Sequence, residues 1–182
     1  MVKKDFVFKI AVIGSYATGK SSLISQYCEK KFKEDYKPTL GASIIAKDIV
    51  LKGPEDSYHC RLVLWDIAGQ EKYENVRSMY FQGCAGAILV YDLTRIPTIQ
   101  EIKSKWIQDF REHATPGASF ILIANKKDLE EIRNVSTEEG QALAKEINAA
   151  AFLETSAKTG ENVESAFGSL VKQILNSIGQ NI

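Results

Sequence analysis

Apolar and polar positions along this chain alternate between two periods. Residues 6–13 are β-rich and stop at Gly14, after which 19–28 sets Leu23, Ile24 and Tyr27 at helical spacing. Further strands are predicted at 43–51 and 60–66. The turn chemistry between them, Gly53-Pro54-Glu55-Asp56-Ser57, makes those two a hairpin. Residues 85–91 and 119–124 are short continuous apolar runs, the mark of strands covered on both faces, and 151–154 is a shorter run of that kind. Helical periodicity marks 98–112, 137–147 and 163–177. In the last, Val163, Phe167, Leu170, Ile174 and Ile178 recur every three or four residues, as a helix packed on a sheet requires. Strands alternating with helices predict an α/β fold, a mostly parallel sheet with helices on both faces.

Composition narrows the class. The 182 residues suit one domain with a full core, 45% of them hydrophobic and 25% charged. Lys+Arg and Asp+Glu are both 23, so no excess charge exists to neutralise a nucleic-acid backbone. Cys28, Cys60 and Cys84 lack metal-ligand spacing and read as reduced thiols of a cytosolic protein. His59 and His113 have no carboxylate or cysteine cluster near them in sequence and read as surface or hairpin residues. No apolar run approaches the ~20 residues of a membrane span.

Chemistry enters at Gly14-Ser15-Tyr16-Ala17-Thr18-Gly19-Lys20-Ser21, which fits G-x-x-x-x-G-K-[S/T] after a strand and before a helix. The glycines let the backbone curl so that successive N–H groups face a phosphate, and the helix N-terminus adds its positive dipole. Lys20 then reaches the β- and γ-phosphates and the Ser21 hydroxyl ligates Mg²⁺. Gly14, Tyr16, Ala17, Thr18, Gly19 and Ser22 complete the phosphate-binding set.

Asn125-Lys126-Lys127-Asp128 follows the apolar run 121–124, at the C-terminal end of a strand, where ligands bind in open α/β sheets. A carboxylate there can accept from guanine N1–H and the 2-amino group together. Adenine lacks both donors and would leave Asp128 desolvated and unpaired. Lys126 can lay its alkyl stem along the base, and Thr155-Ser156-Ala157-Lys158 offers backbone N–H groups to the guanine carbonyl. Ser156, Ala157 and Lys158 therefore join Asn125, Lys126 and Asp128 in the base-binding set.

With these motifs in this order, the chain resembles the Ras superfamily of small GTPases over roughly residues 6–178. The resemblance implies a three-layer P-loop fold with a six-stranded sheet, forming a single G domain over 1–182. It implies an enzyme that binds Mg²⁺ and GTP, hydrolyses GTP slowly to GDP, and changes the shape of two switch loops. Tyr36-Lys37-Pro38-Thr39-Leu40-Gly41 resembles switch I. By that similarity Thr39 ligates Mg²⁺ and bonds the γ-phosphate through its backbone, Phe32 lies against the guanine, and Tyr36 joins the nucleotide contacts. Trp65-Asp66-Ile67-Ala68-Gly69-Gln70-Glu71 resembles a strand end and switch II. Asp66 then holds Mg²⁺ through water, the Gly69 N–H senses the γ-phosphate, and Gln70 orients the attacking water. Gln70, Lys20, Thr39 and Gly69 are the catalytic set so implied.

Trp65 before Asp66, Met79-Tyr80-Phe81-Gln82-Gly83 and Ile88-Leu89-Val90-Tyr91-Asp92-Leu93-Thr94 are most similar to the Rab branch, which implies a role in membrane traffic. Rab proteins commonly present three aromatic residues to effectors; the matching positions are Ile44, Trp65 and Tyr80, two aromatic and one not. Lys72-Tyr73 stands where Rab switch II usually carries Arg-Phe. Effector, exchange-factor and activator proteins are the partners implied, with the chain itself a monomer.

Two departures stand out. Tyr16 occupies a loop position that usually holds glycine or another small residue. A phenol there can crowd Gln70 and an activator's arginine and slow hydrolysis, or it can point to solvent and lid the nucleotide. The other is the end of the chain, Asn181-Ile182, far from the last cysteine Cys84 and without a prenyl acceptor. Membrane association is then not encoded in these residues, and a cytoplasmic location is expected, peripheral on membranes only through a further lipidated tail. Two other functions compete. A constitutively GTP-loaded binding module is favoured by Tyr16 and opposed by Gln70. A metabolic ATPase or small-molecule kinase fails on Asn125–Asp128.

Overall fold

The computed structural model describes residues 2–35 and 37–182. Six strands form one sheet in the order β2-β3-β1-β4-β5-β6. They are β1 Val2–Ile13, β2 Ala42–Lys52, β3 Asp56–Ile67, β4 Gly86–Asp92, β5 Ser119–Asn125 and β6 Phe152–Glu154. Among the described residues only the β2–β3 pair is antiparallel, and it is the hairpin expected from the turn at residues 53–57.

The apolar runs of β4 and β5 serve two cores at once, because successive side chains of a strand point to opposite faces. Ile88, Val90, Ile121 and Ile123 pack in one layer with helix α1 (Lys20–Glu29) and helix α6 (Val163–Ser177). Ala87, Leu89, Tyr91, Leu122 and Ala124 pack in the other. There they meet α3 (Ile96–Glu101), α4 (Ile107–His113) and α5 (Thr137–Glu146). On the first face the Tyr27 and Phe167 rings stack at 3.9 Å, fastening α1 to α6. Ser136 and Glu139 close a capping box at the start of α5, satisfying N–H groups that the helix cannot.

The elements run longer than their apolar signal in several places. β1 starts at Val2, since charged Lys3, Lys4 and Asp5 still pair in parallel with Ser57, Tyr58 and His59. The helical stretch expected over 98–112 starts at Ile96, with Pro97 in its first turn, and its middle, Ile102–Trp106, widens into a π-helical turn between α3 and α4. A further helix, α2 (Glu74–Phe81), carries no apolar stripe. Arg77 and Phe81 are its buried residues, too few to register as a period.

Candidate functional site

The turn after β1, the start of α1, the segment after β3 and the C-terminal end of β5 surround a cavity of about 1150 Å³. Its phosphate end is built by the turn from β1 into α1. Gly19 adopts φ +97°, and a Cβ there would run into the Asn125 amide. Lys20 is 6% exposed and lies inside this turn, its Nζ donating to the Ser15 carbonyl at 2.9 Å. Burial pushes the Lys20 ammonium down to about 8. The Thr18 hydroxyl also donates to the Ser15 carbonyl, at 3.0 Å, and Thr18 does not line the cavity. Tyr16, Ala17, Gly19, Ser21 and Ser22 line the cavity. Gly14 lies behind it, against the Val90 carbonyl.

Three oxygen-bearing side chains from separate segments meet beside Lys20. Ser21 Oγ donates to Asp66 Oδ2 and stands 3.0 Å from Thr39 Oγ1, which is 3.4 Å from Asp66 Oδ2. Asp66 is 5% exposed and its other oxygen, Oδ1, is buried without a hydrogen-bond partner. Burial raises the Asp66 carboxyl above its ordinary range, against the opposing pull of the Ser21 hydroxyl and the Lys20 charge. Hard oxygen donors around an unsatisfied carboxylate oxygen suit Mg²⁺, which keeps several waters and takes few protein ligands. The residues present therefore fit the metal. No cluster of three or more His, Cys, Asp or Glu exists among the described residues, as expected when two of the donors are hydroxyls.

Gly69 packs onto the same turn. A Cβ on it would come within 2.5 Å of the Tyr16 nitrogen and 2.6 Å of the Gly14 carbonyl oxygen, so the segment after β3 is pressed against the turn's backbone. Gln70 follows it into the cavity wall. Phe32, 38% exposed, forms part of the opposite rim. Tyr36 lies outside the described residues.

The base end is held by side chains bonded to one another. Asn125 Nδ2 donates to the Thr18 carbonyl at 3.0 Å, and its Oδ1 accepts from the Thr155 hydroxyl at 3.0 Å and the Ala157 N–H at 3.2 Å. It thus staples the phosphate turn to the 155–158 loop. Asp128 Oδ1 accepts from the Ser156 hydroxyl at 2.6 Å, which fixes the carboxylate's orientation. Lys126 takes a left-handed backbone, φ +72°, and its ammonium pairs with Asp92 Oδ2 at 2.7 Å. That pairing leaves its alkyl stem along the cavity. Lys158 lines the mouth and approaches Glu34 at 4.0 Å.

Asp92 is a site residue that the sequence reading missed. It is fully buried, accepts from the Thr94 N–H and hydroxyl at 2.9 and 2.7 Å, and pairs with Arg95 Nε at 3.0 Å as well as with Lys126. The signal was available: a carboxylate ends an apolar parallel strand, in register with Asn125 on its neighbour. Away from the cavity, Ile44 pairs in register with Trp65 across β2–β3, and the Trp65 and Tyr80 rings lie 5.9 Å apart. The three positions form one surface, with Ile44 55% exposed.

The Ras family model matches residues 9–176. Ras-related protein Rab-4A of Homo sapiens is 45% identical over 174 residues, covering 96% of this chain and 77% of that protein. Ras-related protein Rab-4B of Homo sapiens is 44% identical over the same length, at 96% and 79% coverage. Ras-related protein RABA5b of Arabidopsis thaliana is 37% identical over 179 residues, at 98% and 80%.

Proposed function

We propose that this chain, which belongs to the Ras family and is a GTP hydrolase of Rab-like kind, works as a molecular switch whose nucleotide occupies the cavity between Lys20 and Asp128. The observation that carries the reading is the common wall of that cavity. One continuous surface joins an anion-ready turn, including Lys20, to a carboxylate held ready for a base, Asp128. Their separation by sequence and proximity in space suits a ligand with phosphates at one end and guanine at the other.

In this reading the amides of the 14–19 turn and the Lys20 ammonium bind the phosphates. Asp128 selects guanine by accepting its two adjacent donors, with Lys126, Ser156, Ala157 and Lys158 around the ring and Asn125 as the brace between the ends. Ser21, Thr39 and Asp66 would hold Mg²⁺, which would supply positive charge against that of the phosphates. Gln70 orients a water for attack on the γ-phosphorus. The bond to the bridging oxygen breaks with its electron pair staying on GDP, and the water's proton ends on phosphate. Lys20 and the turn amides stabilise the charge that develops.

Thr39 and Gly69 sit on separate segments, and both reach the γ-phosphate end. Loss of that phosphate removes what holds them together, so the two segments relax and partner proteins sense the change. The surface of Ile44, Trp65 and Tyr80 is the place for effectors, exchange factors and activators, and the chain acts as a monomer in a single domain. The Rab-like kinship supports a role in membrane traffic from a cytoplasmic location, peripheral on membranes where a lipidated tail is present. No described helix is long and apolar enough to cross a membrane. Tyr16, on the cavity wall beside Gln70 and 40% exposed, narrows the space for an activator's arginine and slows hydrolysis.

The decisive test is competition for Mg²⁺-dependent binding to purified protein. GTP and GDP should displace a labelled guanine nucleotide at concentrations where ATP does nothing. Equal displacement by ATP, or binding indifferent to chelation of the metal, would remove the reading.

A further inference from the structure

Arg95, just beyond β4, makes two bonds with its guanidinium. Nε donates to Asp92 Oδ2 at 3.0 Å and Nη2 donates to the Tyr16 carbonyl at 2.8 Å. Asp92 is rigid on its own account, since it is fully buried and Thr94 binds its other oxygen twice. The guanidinium is therefore held from one side and grips the phosphate turn from the other. A planar fork can do this where a flexible ammonium cannot.

The grip has a direction. Arg95 lines a second cavity, of about 780 Å³, which meets the larger one at Tyr16, Gly69 and Gln70, and Arg95 is not part of the wall of the larger one. Tyr16 borders both, and Ala17 borders the larger. In a trans peptide the carbonyl and the next N–H point opposite ways. A Tyr16 oxygen drawn toward Arg95 thus turns the Ala17 N–H toward the larger cavity. Ala17 holds φ +59°, a conformation that alanine rarely adopts, so an outside hold on this peptide has something to oppose.

From this geometry we infer that Arg95 is a positioning residue for GTP hydrolysis, which aims the Ala17 N–H at the phosphates by holding the Tyr16 carbonyl from behind. The inference rests on the nucleotide reading of the larger cavity. Arg95 does not line the nucleotide cavity and reaches that wall through the Tyr16 carbonyl. Its effect falls on the chemical step, because a fixed N–H contributes most where an oxygen gains charge as the bond to the γ-phosphorus breaks.

Single-turnover GTP hydrolysis and GTP affinity should be measured for wild type, Arg95→Ala and Arg95→Met, with and without millimolar guanidinium ion. Arg95 is 39% exposed, so truncation leaves the core intact. Arg95→Ala should hydrolyse about tenfold more slowly while GTP affinity changes by less than about threefold. Guanidinium should restore much of the rate to Arg95→Ala but not to Arg95→Met, whose side chain fills the space. A rate within about twofold of wild type in Arg95→Ala would overturn the inference, as would a slow variant that guanidinium cannot rescue. Wild type that fails to bind GTP would instead remove the nucleotide reading beneath it, and the two failures are told apart by that one control.

Discussion

The two ends of the large cavity are built on opposite principles. At the base end, polar groups are bonded to one another whether buried or exposed: Asn125 to Thr18, Thr155 and Ala157, Asp128 to Ser156, and Lys126 to Asp92. At the phosphate end, Lys20 is buried beside a carbonyl with its ammonium pushed down to about 8, and Asp66 keeps one buried oxygen without a partner. The base end is complete by itself. The phosphate end carries unmet demands, a buried cation calling for anions and a buried carboxylate calling for a cation. A protein tolerates such groups where a ligand answers them, and this one holds both within a single turn and strand end. The difference teaches which half waits for ligand to become stable.

The largest effect should come from Lys20→Met, which removes the cation from the incomplete end. GTP affinity should fall by roughly a thousandfold, about 4 kcal/mol, because buried phosphate charge loses its partner. Without nucleotide the sign reverses. The same variant should be more stable than wild type by about 2–3 kcal/mol, since the buried ammonium's desolvation cost disappears. Lys20 also sets a pH signature. Its pKa lies near 8 in the folded chain against 10.5 when free, so the unfolded state binds more protons between those values. Stability of the nucleotide-free protein should therefore rise as pH is raised through that window, and the Met variant should lack the rise. Denaturant melts across pH check both statements. A Lys20→Met protein less stable than wild type at neutral pH would break the comparison.

Asp128→Asn should come next, at roughly a hundredfold loss of GTP affinity, about 3 kcal/mol. An amide turns one acceptor into a donor facing guanine's own donors. Because Ser156 is the hydrogen-bond partner of Asp128 among the described residues, the free protein should melt within about 1 kcal/mol of wild type. Ligand binding and stability thus dissociate at the base end, where at the phosphate end they oppose each other. Asn125→Ala sharpens the contrast from the other direction. It leaves the Thr18 carbonyl, the Thr155 hydroxyl and the Ala157 N–H without their partner, and should destabilise the free protein by about 2–3 kcal/mol. Thermal unfolding without nucleotide reads it.

How much of this was legible in the sequence follows the same division. The 14–21 turn and the 125–128 tetrapeptide announce themselves because each is contiguous and sits at a strand end. The β4 and β5 runs were equally plain, since burial on both faces leaves no polar position inside them. What pairs across distance was not legible. Asp92 lies 34 residues from Lys126, and neither residue's neighbours reveal the bond. Arg77 of α2, 1% exposed against the Trp106 ring at 4.1 Å, looks like any surface arginine until the fold brings α2 onto α4. Asn125 read as a ligand contact from its motif. The structure gives its side chain to the protein, as the brace on which both ends depend.

Tyr16 tests the comparison at its smallest scale. It borders the incomplete end and shares a wall with Gln70, yet its carbonyl belongs to the Arg95 arrangement, so backbone and side chain have separate tasks. Tyr16→Gly removes the phenol. It should speed intrinsic single-turnover hydrolysis about threefold, by freeing space for Gln70 and its water. The same change lets the backbone at position 16 wander, since glycine restrains it least. Part of the gain should then be lost, and Tyr16→Ala, with the phenol gone but the backbone still restrained, should be the faster of the two. Rates in the order Ala, Gly, wild type would assign the effect to the side chain. Equal rates in all three would mean that the phenol leaves Gln70 undisturbed, and that slow turnover, where observed, is set by the backbone alone.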